Sequence, residues 1–273
     1  MRWVPALLAA AALAQAPRTA GDAAPPTRVE SEAILQDVGN KALDYSRNLP
    51  NYICLQVTRR HVDPGGGGKY RLLDTIVERL SFFEQKEAYQ VLEINGHAVK
   101  NVAHDAVGGS RSSGEFGSML QGIFDPASEA AFRWEAWTTK HDRPAMVFSF
   151  RVRKPRYDLH VTARGQGYAA RIRNTKLSVG FHGLLFVDRA DHGIRRLEME
   201  CDDIPADFPL REVSMVLDYG IVAIAGQDHL LPVRSDVRSR SGKYAAWNEV
   251  TYQDYNRFGA DTNITFETPA PRQ

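Results

Sequence analysis

The sequence has few cysteines, no excess of either charge, and no apolar run long enough to cross a bilayer as a helix. It contains 34 basic and 33 acidic residues. Because a chain without basic excess gains little from counterion release, binding to nucleic acid or to anionic lipid by charge alone is disfavoured. The apolar run 4–14 has 11 residues, well below the roughly 20 that a spanning helix needs.

The first residues have the pattern of a cleaved secretion signal. Arg2 precedes the apolar run, and Ala14-Gln15-Ala16 forms a small-x-small cleavage pattern. We therefore expect 1–16 to be a signal peptide cut after Ala16, and the mature chain to be periplasmic or secreted, without a transmembrane segment. Removal of this segment takes away one Arg and no acid, which leaves 33 side chains of each charge.

The remaining chain predicts one domain between two irregular ends. Residues 17–28 are rich in Pro and Ala, which is typical of a flexible leader, and 267–273 form a similar frayed tail. Between them, 29–266 is long enough for a single large β domain.

The two cysteines, Cys54 and Cys201, leave two alternatives open. In an oxidising compartment an isolated pair is a candidate disulfide. The alternative is a pair of separate buried thiols that behave as small hydrophobic side chains. Sequence alone does not supply the geometry that would decide between them.

A helix near the N-terminus is predicted by a capping signal and by apolar periodicity. Thr27 and Glu30 fit a capping box, and apolar residues then recur every three or four positions as far as Leu49-Pro50. The sequence therefore predicts an amphipathic helix over 29–49. Ser112 and Glu115 form a second capping signal, which predicts a short helix through Phe124 and a further helical turn at 125–128.

From Asn51 the apolar period changes to two, which is typical of strands with one covered face. Asn95-Gly96 predicts a hairpin, and Asp191-His192-Gly193 predicts another turn in which Gly193 supplies the positive φ. No βαβ rhythm is present. We therefore predict an α+β fold that is mainly antiparallel: a curved, incomplete β-barrel sheet covered by the N-terminal helix and a short mid-chain helical insertion.

The residue types that carry catalysis or bind metals do not form a recognisable motif. The eight histidines show no zinc spacing, and the densest cluster is better explained by the hairpin turn: His182, Asp188, Asp191 and His192. The serines of 109–114 lack a nucleophile elbow. We expect no metal, no cofactor and no enzymatic activity, and a hydrolase whose site is assembled from distant residues is the third functional alternative.

Large apolar side chains are abundant on the predicted strands and exceed what the stripe of one helix can cover. A partly covered sheet offers an apolar groove suited to a hydrophobic ligand, and a fully packed core is the alternative. The candidate groove residues are Trp134, Phe148, Phe150, Leu197, Met199, Met215, Leu217 and Tyr219.

The order of elements resembles the periplasmic LolA/RseB-like fold, an incomplete β-barrel covered by helices. The segment 183–199 is similar to that group's hairpin of apolar residues, Asp, short turn and returning basic-apolar strand. The strands that end at Asn95-Gly96 are compatible with its early sheet. The chain is also similar to exported proteins of the acidobacterial type. The resemblance implies a cavity for lipid or lipoprotein, or an envelope sensor role, and no catalysis.

Two functions of different classes follow. The first is an exported periplasmic binding protein whose apolar groove takes a lipid, an acyl chain or a lipoprotein. The second is an envelope interaction or sensor module with a filled core, which contacts a protein partner through its sheet edges or through loop 104–114. A groove in the structure favours the first function, and a solid interior favours the second.

Overall fold

The computed structural model describes residues 24–102, 104, 107, 116–140, 142–161 and 175–259. The predicted signal peptide, most of the leader, the C-terminal tail and nearly all of loop 104–114 lie outside the described residues. In chain order the elements are α1 (Arg28–Asn48), β1 (Tyr52–Asp63), β2 (Arg71–Phe83), β3 (Lys86–Ile94), β4 (His97–Ala98), α2 (Ser118–Phe124), a 3₁₀ turn (Pro126–Ser128), β5 (Ala131–Lys140), β6 (Arg143–Val161), β7 (Thr175–Asp188), β8 (Ile194–Cys201), β9 (Glu212–Ile224), β10 (Gln227–Ser241) and β11 (Tyr244–Arg257).

Helix α1 begins at the predicted capping box. The hydroxyl of Thr27 accepts a hydrogen bond from the backbone N–H of Glu30, and the Glu30 carboxylate accepts one from the backbone N–H of Thr27 at 2.7 Å. The helix ends before Leu49, which is extended because Pro50 follows it. Val38 and Ala42 are buried on its inner face. Within the described residues, no helix combines the length and the apolar character of a bilayer-spanning segment.

Helix α2 is the predicted mid-chain insertion, and it packs on α1. It starts after Gly117, and its Met119, Leu120 and Ile123 are buried. The capping signal of Ser112 and Glu115 lies outside the described residues. Gly39 of α1 faces α2 so closely that an added Cβ would lie 3.2 Å from Cδ1 of Phe124. The two helices together therefore cover the sheet as one layer.

All strands of the described residues belong to one antiparallel sheet of 11 strands, in the order β4-β3-β2-β1-β11-β10-β9-β8-β7-β6-β5. The mainly antiparallel, open sheet with two helices confirms the predicted fold class. Asn95 and Gly96 both have positive φ in the turn between β3 and β4, as the hairpin signal predicted. The order is sequential except that β1 pairs with β11, so the N-terminal hairpins join the end of the chain.

The turn between β7 and β8 corrects one detail of the sequence prediction. The positive φ, 54°, falls on His192 and not on Gly193. The backbone N–H of His192 donates to the carbonyl of Asp188, and the Asp191 carboxylate accepts from the N–H of Gly193. An added Cβ at Gly193 would lie 3.0 Å from Oδ1 of Asp191, so the Asp191 side chain would have to shift to make room for it.

Two large hydrophobic clusters lie on the helix-covered face of the sheet. The first cluster joins α1 and α2 to strands β6–β10. The second cluster lies around Tyr52 on β1, Phe82 on β2 and Tyr252 on β11, and Phe116 packs on it from the segment before α2. The helices therefore cover the half of the sheet in which the predicted groove residues lie.

Candidate functional site

The structure brings all eight predicted groove residues together in the first cluster. Seven of them are at most 3% exposed. Trp134, on the edge strand β5, is partly buried and packs edge-on against Trp137 and Phe148. These side chains face α1 and α2 and pack closely, so the helix–sheet interface is closed. Their role in holding a ligand stays a prediction.

Several residues of this interface were missed by the sequence reasoning. Phe181 and Leu185 on β7 and Met146 on β6 are buried in the same cluster. The period of two that selected Phe148 and Phe150 could also have identified these residues, because cross-strand partners share a face. Leu185, for example, pairs with both Phe148 and Leu197. Every methionine after Met1 lies in this cluster: Met119, Met146, Met199 and Met215.

A small apolar cleft reaches the interface beside α1. Its volume is about 40 Å³, and it is lined by Val38, Lys41, Ala42, Tyr45, Leu120, His192, Gly193, Ile194, Tyr219 and Leu230. A water molecule occupies roughly 30 Å³ of liquid, so this cleft is far too small for an acyl chain. For this cleft to hold a ligand of that size, α1 would have to move away from the sheet.

The outer side of the cleft is closed by a polar contact between α1 and the β7–β8 turn, here called the α1 latch: Asp37, Lys41, Asp191 and His192. Nδ1 of His192 lies 2.7 Å from Oδ2 of Asp37, and Nζ of Lys41 lies 2.6 Å from the same oxygen. Lys41 also donates to the carbonyl of Asp191 at 2.8 Å. The hydrogen bonds from Lys41, and next from His192, hold the pKa of Asp37 below its usual range.

Tyr45 attaches the other end of α1 to the sheet. Its hydroxyl donates to the carbonyl of Leu230 on β10 at 3.0 Å, and its ring packs edge-on against Tyr219 with centroids 5.9 Å apart. Burial raises the pKa of the Tyr45 hydroxyl well above its usual range. The raised pKa is consistent with the hydroxyl acting as the donor in this hydrogen bond.

The β7–β8 turn that carries half of the latch is itself rigidly built. Asp188 is buried, and its carboxylate accepts from the backbone N–H of Ala190 and from the guanidinium groups of Arg143 and Arg195. Burial alone would raise the pKa of Asp188, but these donors outweigh it and hold the pKa at about 2. The latch therefore binds α1 to a fixed point of the sheet.

The candidate disulfide is not formed, since Cys54 and Cys201 are both free thiols. Cys54 lies on β1 and Cys201 on β8, and β11, β10 and β9 separate these strands in the sheet. Neighbouring strands are about 4.8 Å apart, whereas a disulfide needs Cα atoms within roughly 7 Å. Burial raises the pKa of the Cys201 thiol to about 12 and that of Cys54 well above its usual range.

The histidine and carboxylate cluster of the sequence does not converge on one site. His182 contacts Asp202, 2.7 Å away, whereas His192 contacts Asp37 on α1. Among the residues that the structure describes, no group of three or more His, Cys, Asp or Glu side chains could hold a metal ion. The serines of 109–114 lie outside the described residues.

No family model and no curated protein matches the sequence. Three solved structures are similar in fold. One is a DUF1329 family protein from Desulfovibrio piger, with 9% identity, a TM-score of 0.36, and coverage of 86% of this chain and 94% of the other. Another is a putative outer membrane lipoprotein-sorting protein domain from Vibrio parahaemolyticus, with 9% identity, a TM-score of 0.35, and coverage of 85% and 93%.

The third is the MucA/MucB complex of Pseudomonas aeruginosa, with 11% identity, a TM-score of 0.22, and coverage of 79% of this chain and 93% of the other. The lipoprotein-sorting domain is of the kind that the sequence resemblance named. All three likenesses are distant.

Proposed function

We propose that the chain is an exported binding protein of the periplasm that holds an acyl chain or another apolar group between its helices and its sheet. The methionine content of that interface carries the proposal. Methionine is flexible and polarisable, and it is used at surfaces that must repack around different apolar partners. Four methionines, one on α2 and three on β6, β8 and β9, lie in the first cluster, and Met199 and Met215 are cross-strand partners. We assign the protein no catalytic step.

The attachment of α1 supports a closed state that can open. The helix packs on the sheet through few side chains, of which Val38 and Ala42 are fully buried and Ile34, Leu35 and Tyr45 partly so. Its polar attachments are the α1 latch and the Tyr45 hydroxyl. An incoming apolar chain replaces the contacts that α1 makes with the sheet, so the apolar face stays covered throughout.

A second function, an envelope interaction module, is favoured by the filled interior. The predicted groove residues are packed, and the 40 Å³ cleft is small. In this case the sheet edges β4 and β5 are the surfaces that contact a protein partner.

Native mass spectrometry separates the two functions. The full chain is expressed with its own N-terminus, collected from the periplasm, and measured before and after gentle delipidation. We expect a co-purifying mass in the lipid range that is lost on delipidation and regained with added lipid. A clean apo mass that takes up no lipid would contradict lipid binding and favour the interaction module. The same spectrum tests cleavage after Ala16.

A cleft-filling variant tests the place of binding. Leu230 lines the cleft and is partly buried. Leu230→Trp fills the cleft and is expected to weaken binding of a fluorescent fatty acid about tenfold, since it removes the space where α1 begins to separate. Leu72→Trp is the matched control, because Leu72 is 53% exposed elsewhere on the sheet. Equal binding by both variants would place the ligand somewhere else.

A further inference from the structure

The helix-covered face of the sheet is not apolar throughout. Between the two hydrophobic clusters lies a group of buried polar side chains, here called the polar strip, each at most 8% exposed: Gln56, Thr58, Arg60, Glu78, Ser235 and Asn248. Polar groups are costly to bury, so such a concentration calls for a physical reason.

Strand register places the strip directly beside the methionine-lined cluster. Ser235 on β10 pairs with Leu217 on β9, which belongs to that cluster, and with Val250 on β11. Val250 pairs in turn with Thr58 on β1. Because directly opposed residues of an antiparallel pair share a face, Ser235 and Thr58 both point to the helix-covered side. Ser235 therefore lies at the boundary of the two clusters, with Leu217 of the first cluster on one side and Val250 of the second on the other.

The charges of the strip are neutralised within the protein. Arg60 donates to the carboxylate of Asp74 at 2.6 Å. Glu78 accepts a hydrogen bond from Gln56 at 3.3 Å and lies 2.6 Å from Nδ1 of His104. A paired arginine and a paired glutamate do not select for a charged ligand. The uncharged hydroxyl of Ser235 is the polar group of the strip that lies beside the apolar lining.

Ser235 is fully buried, and its Oγ has no hydrogen-bond partner among the residues that the structure describes. An unpaired buried hydroxyl is unfavourable and rare in folded proteins. Ser235 shares the helix-covered face with its cross-strand partner Leu217, so the polar end of a molecule lying on the apolar lining would come to rest beside it.

We propose that the polar strip at Ser235 receives the uncharged, hydroxyl- or amide-bearing head of an amphipathic ligand whose apolar chain lies on the methionine-lined face. This inference rests on the proposed function and adds the chemical class of the ligand. A head of this kind satisfies the Ser235 hydroxyl, whereas burial of an anionic head beside it would cost the hydration of a charge.

Three lipids with one acyl chain and different heads test the inference. Monooleoylglycerol carries uncharged hydroxyls, methyl oleate has the same chain without a donor, and oleate is an anion. We expect the wild-type protein to bind monooleoylglycerol about tenfold more tightly than the other two, as one good buried hydrogen bond allows. Ser235→Ala is expected to remove about five- to tenfold of that preference and to leave methyl oleate binding unchanged.

The matched control is Ser149→Ala. Ser149 lies between Phe148 and Phe150 on β6 and therefore points to the opposite face of the sheet. It should leave all three affinities unchanged. Because Ser235 loses no bond to the protein, Ser235→Ala is also expected to keep or raise the Tm.

The outcomes distinguish the polar-head assignment from the proposed lipid-binding function. Equal binding of the three lipids, tighter binding of oleate, or an unchanged preference in Ser235→Ala would overturn the polar-head assignment while lipid binding itself stands. A Tm lowered by several degrees in Ser235→Ala would show that the hydroxyl serves the fold and would overturn it too. Failure of the wild-type protein to bind any of the three would overturn both proposals.

Discussion

At the scale of single residues, Gly183 shows how closely the strands fit beneath the helices. It lies on β7 opposite Phe150 and Met199. A Cβ built on it would lie 1.8 Å from the carbonyl oxygen of Glu198, which is backbone and cannot move aside alone. The glycine thus permits the close approach of β7 and β8 under the apolar lining.

We therefore expect Gly183→Ala to lower the free energy of unfolding by about 3 kcal/mol, at the upper end of overpacking effects, because β7 and β8 must separate. Urea unfolding followed by circular dichroism measures this. The control is Gly67→Ala, since a Cβ at Gly67 meets nothing within 4 Å and its φ is not positive. Similar stability of the two variants would show that the β7–β8 contact can relax at little cost.

At this scale the sequence predicts which residues share a face but not what covers them. The alternation around Phe148 and Phe150 on β6 correctly selected the helix-covered side. The same alternation continues through Tyr52 and Cys54 on β1, where the cover differs and the face becomes polar at Gln56. Period alone does not distinguish a packed core from a ligand surface, because both need apolar side chains on alternate positions.

At the scale of elements, α1 is the part whose attachment is most open to a change of pH. Its latch depends on the Asp37 carboxylate, which contacts Lys41 and His192. The other charged groups nearby are Asp191 on the turn and Arg195 at the start of β8, which form an ion pair. The pKa of Asp37 is lower in the folded protein than in the unfolded chain. Its contribution is therefore present above about pH 4 and is lost as the pH falls through the lowered folded value.

We expect Asp37→Asn to raise amide hydrogen exchange in α1 about two- to fivefold at pH 7, as expected for loss of an exposed ionic contact. The wild-type protein should show the same loosening, after correction for intrinsic exchange rates, only below about pH 4. Hydrogen-exchange mass spectrometry of peptides from 28–48 is the measurement. Asp44→Asn is the control, because Asp44 contacts Arg47 within the same helix. Equal exchange in both variants would mean that the latch does not hold α1.

Elements with local signals were predicted well. The capping box of Thr27 and Glu30 and the proline after Leu49 set the bounds of α1 to within a residue of the prediction. The hairpin at Asn95-Gly96 was also correct, since two adjacent residues determine it. The prediction for the β7–β8 turn assigned the positive φ to the wrong residue. The φ of His192 is set by contacts with Asp188 and, through the latch, with α1. The residues next to His192 in the sequence do not reveal the contact with α1.

At the scale of the whole molecule, the pairing of β1 with β11 joins the two ends of the chain. The 11 strands otherwise follow the chain order, so β4 and β5 become the two edges of the sheet although they are consecutive strands. The described part of the connection between them carries Phe116 to the second cluster and α2 to the first. The sequence predicted a mainly antiparallel sheet but not this order, because the strands alternate in the same way.

This topology determines the order in which the sheet forms. Leu185 and Leu197 pair within the β7–β8 hairpin, 12 residues apart, whereas Val57 and Thr251 pair across roughly 190 residues. Closing the longer loop costs more chain entropy, so we expect β1–β11 to form after the β7–β8 hairpin.

Leu185→Ala and Val250→Ala, both at buried positions, should each destabilise the protein by about 2–3 kcal/mol. Leu185→Ala should mainly slow folding, and Val250→Ala should mainly speed unfolding. Stopped-flow fluorescence in urea measures both rates, and a slowed folding limb in Val250→Ala would show that the two ends of the chain meet early.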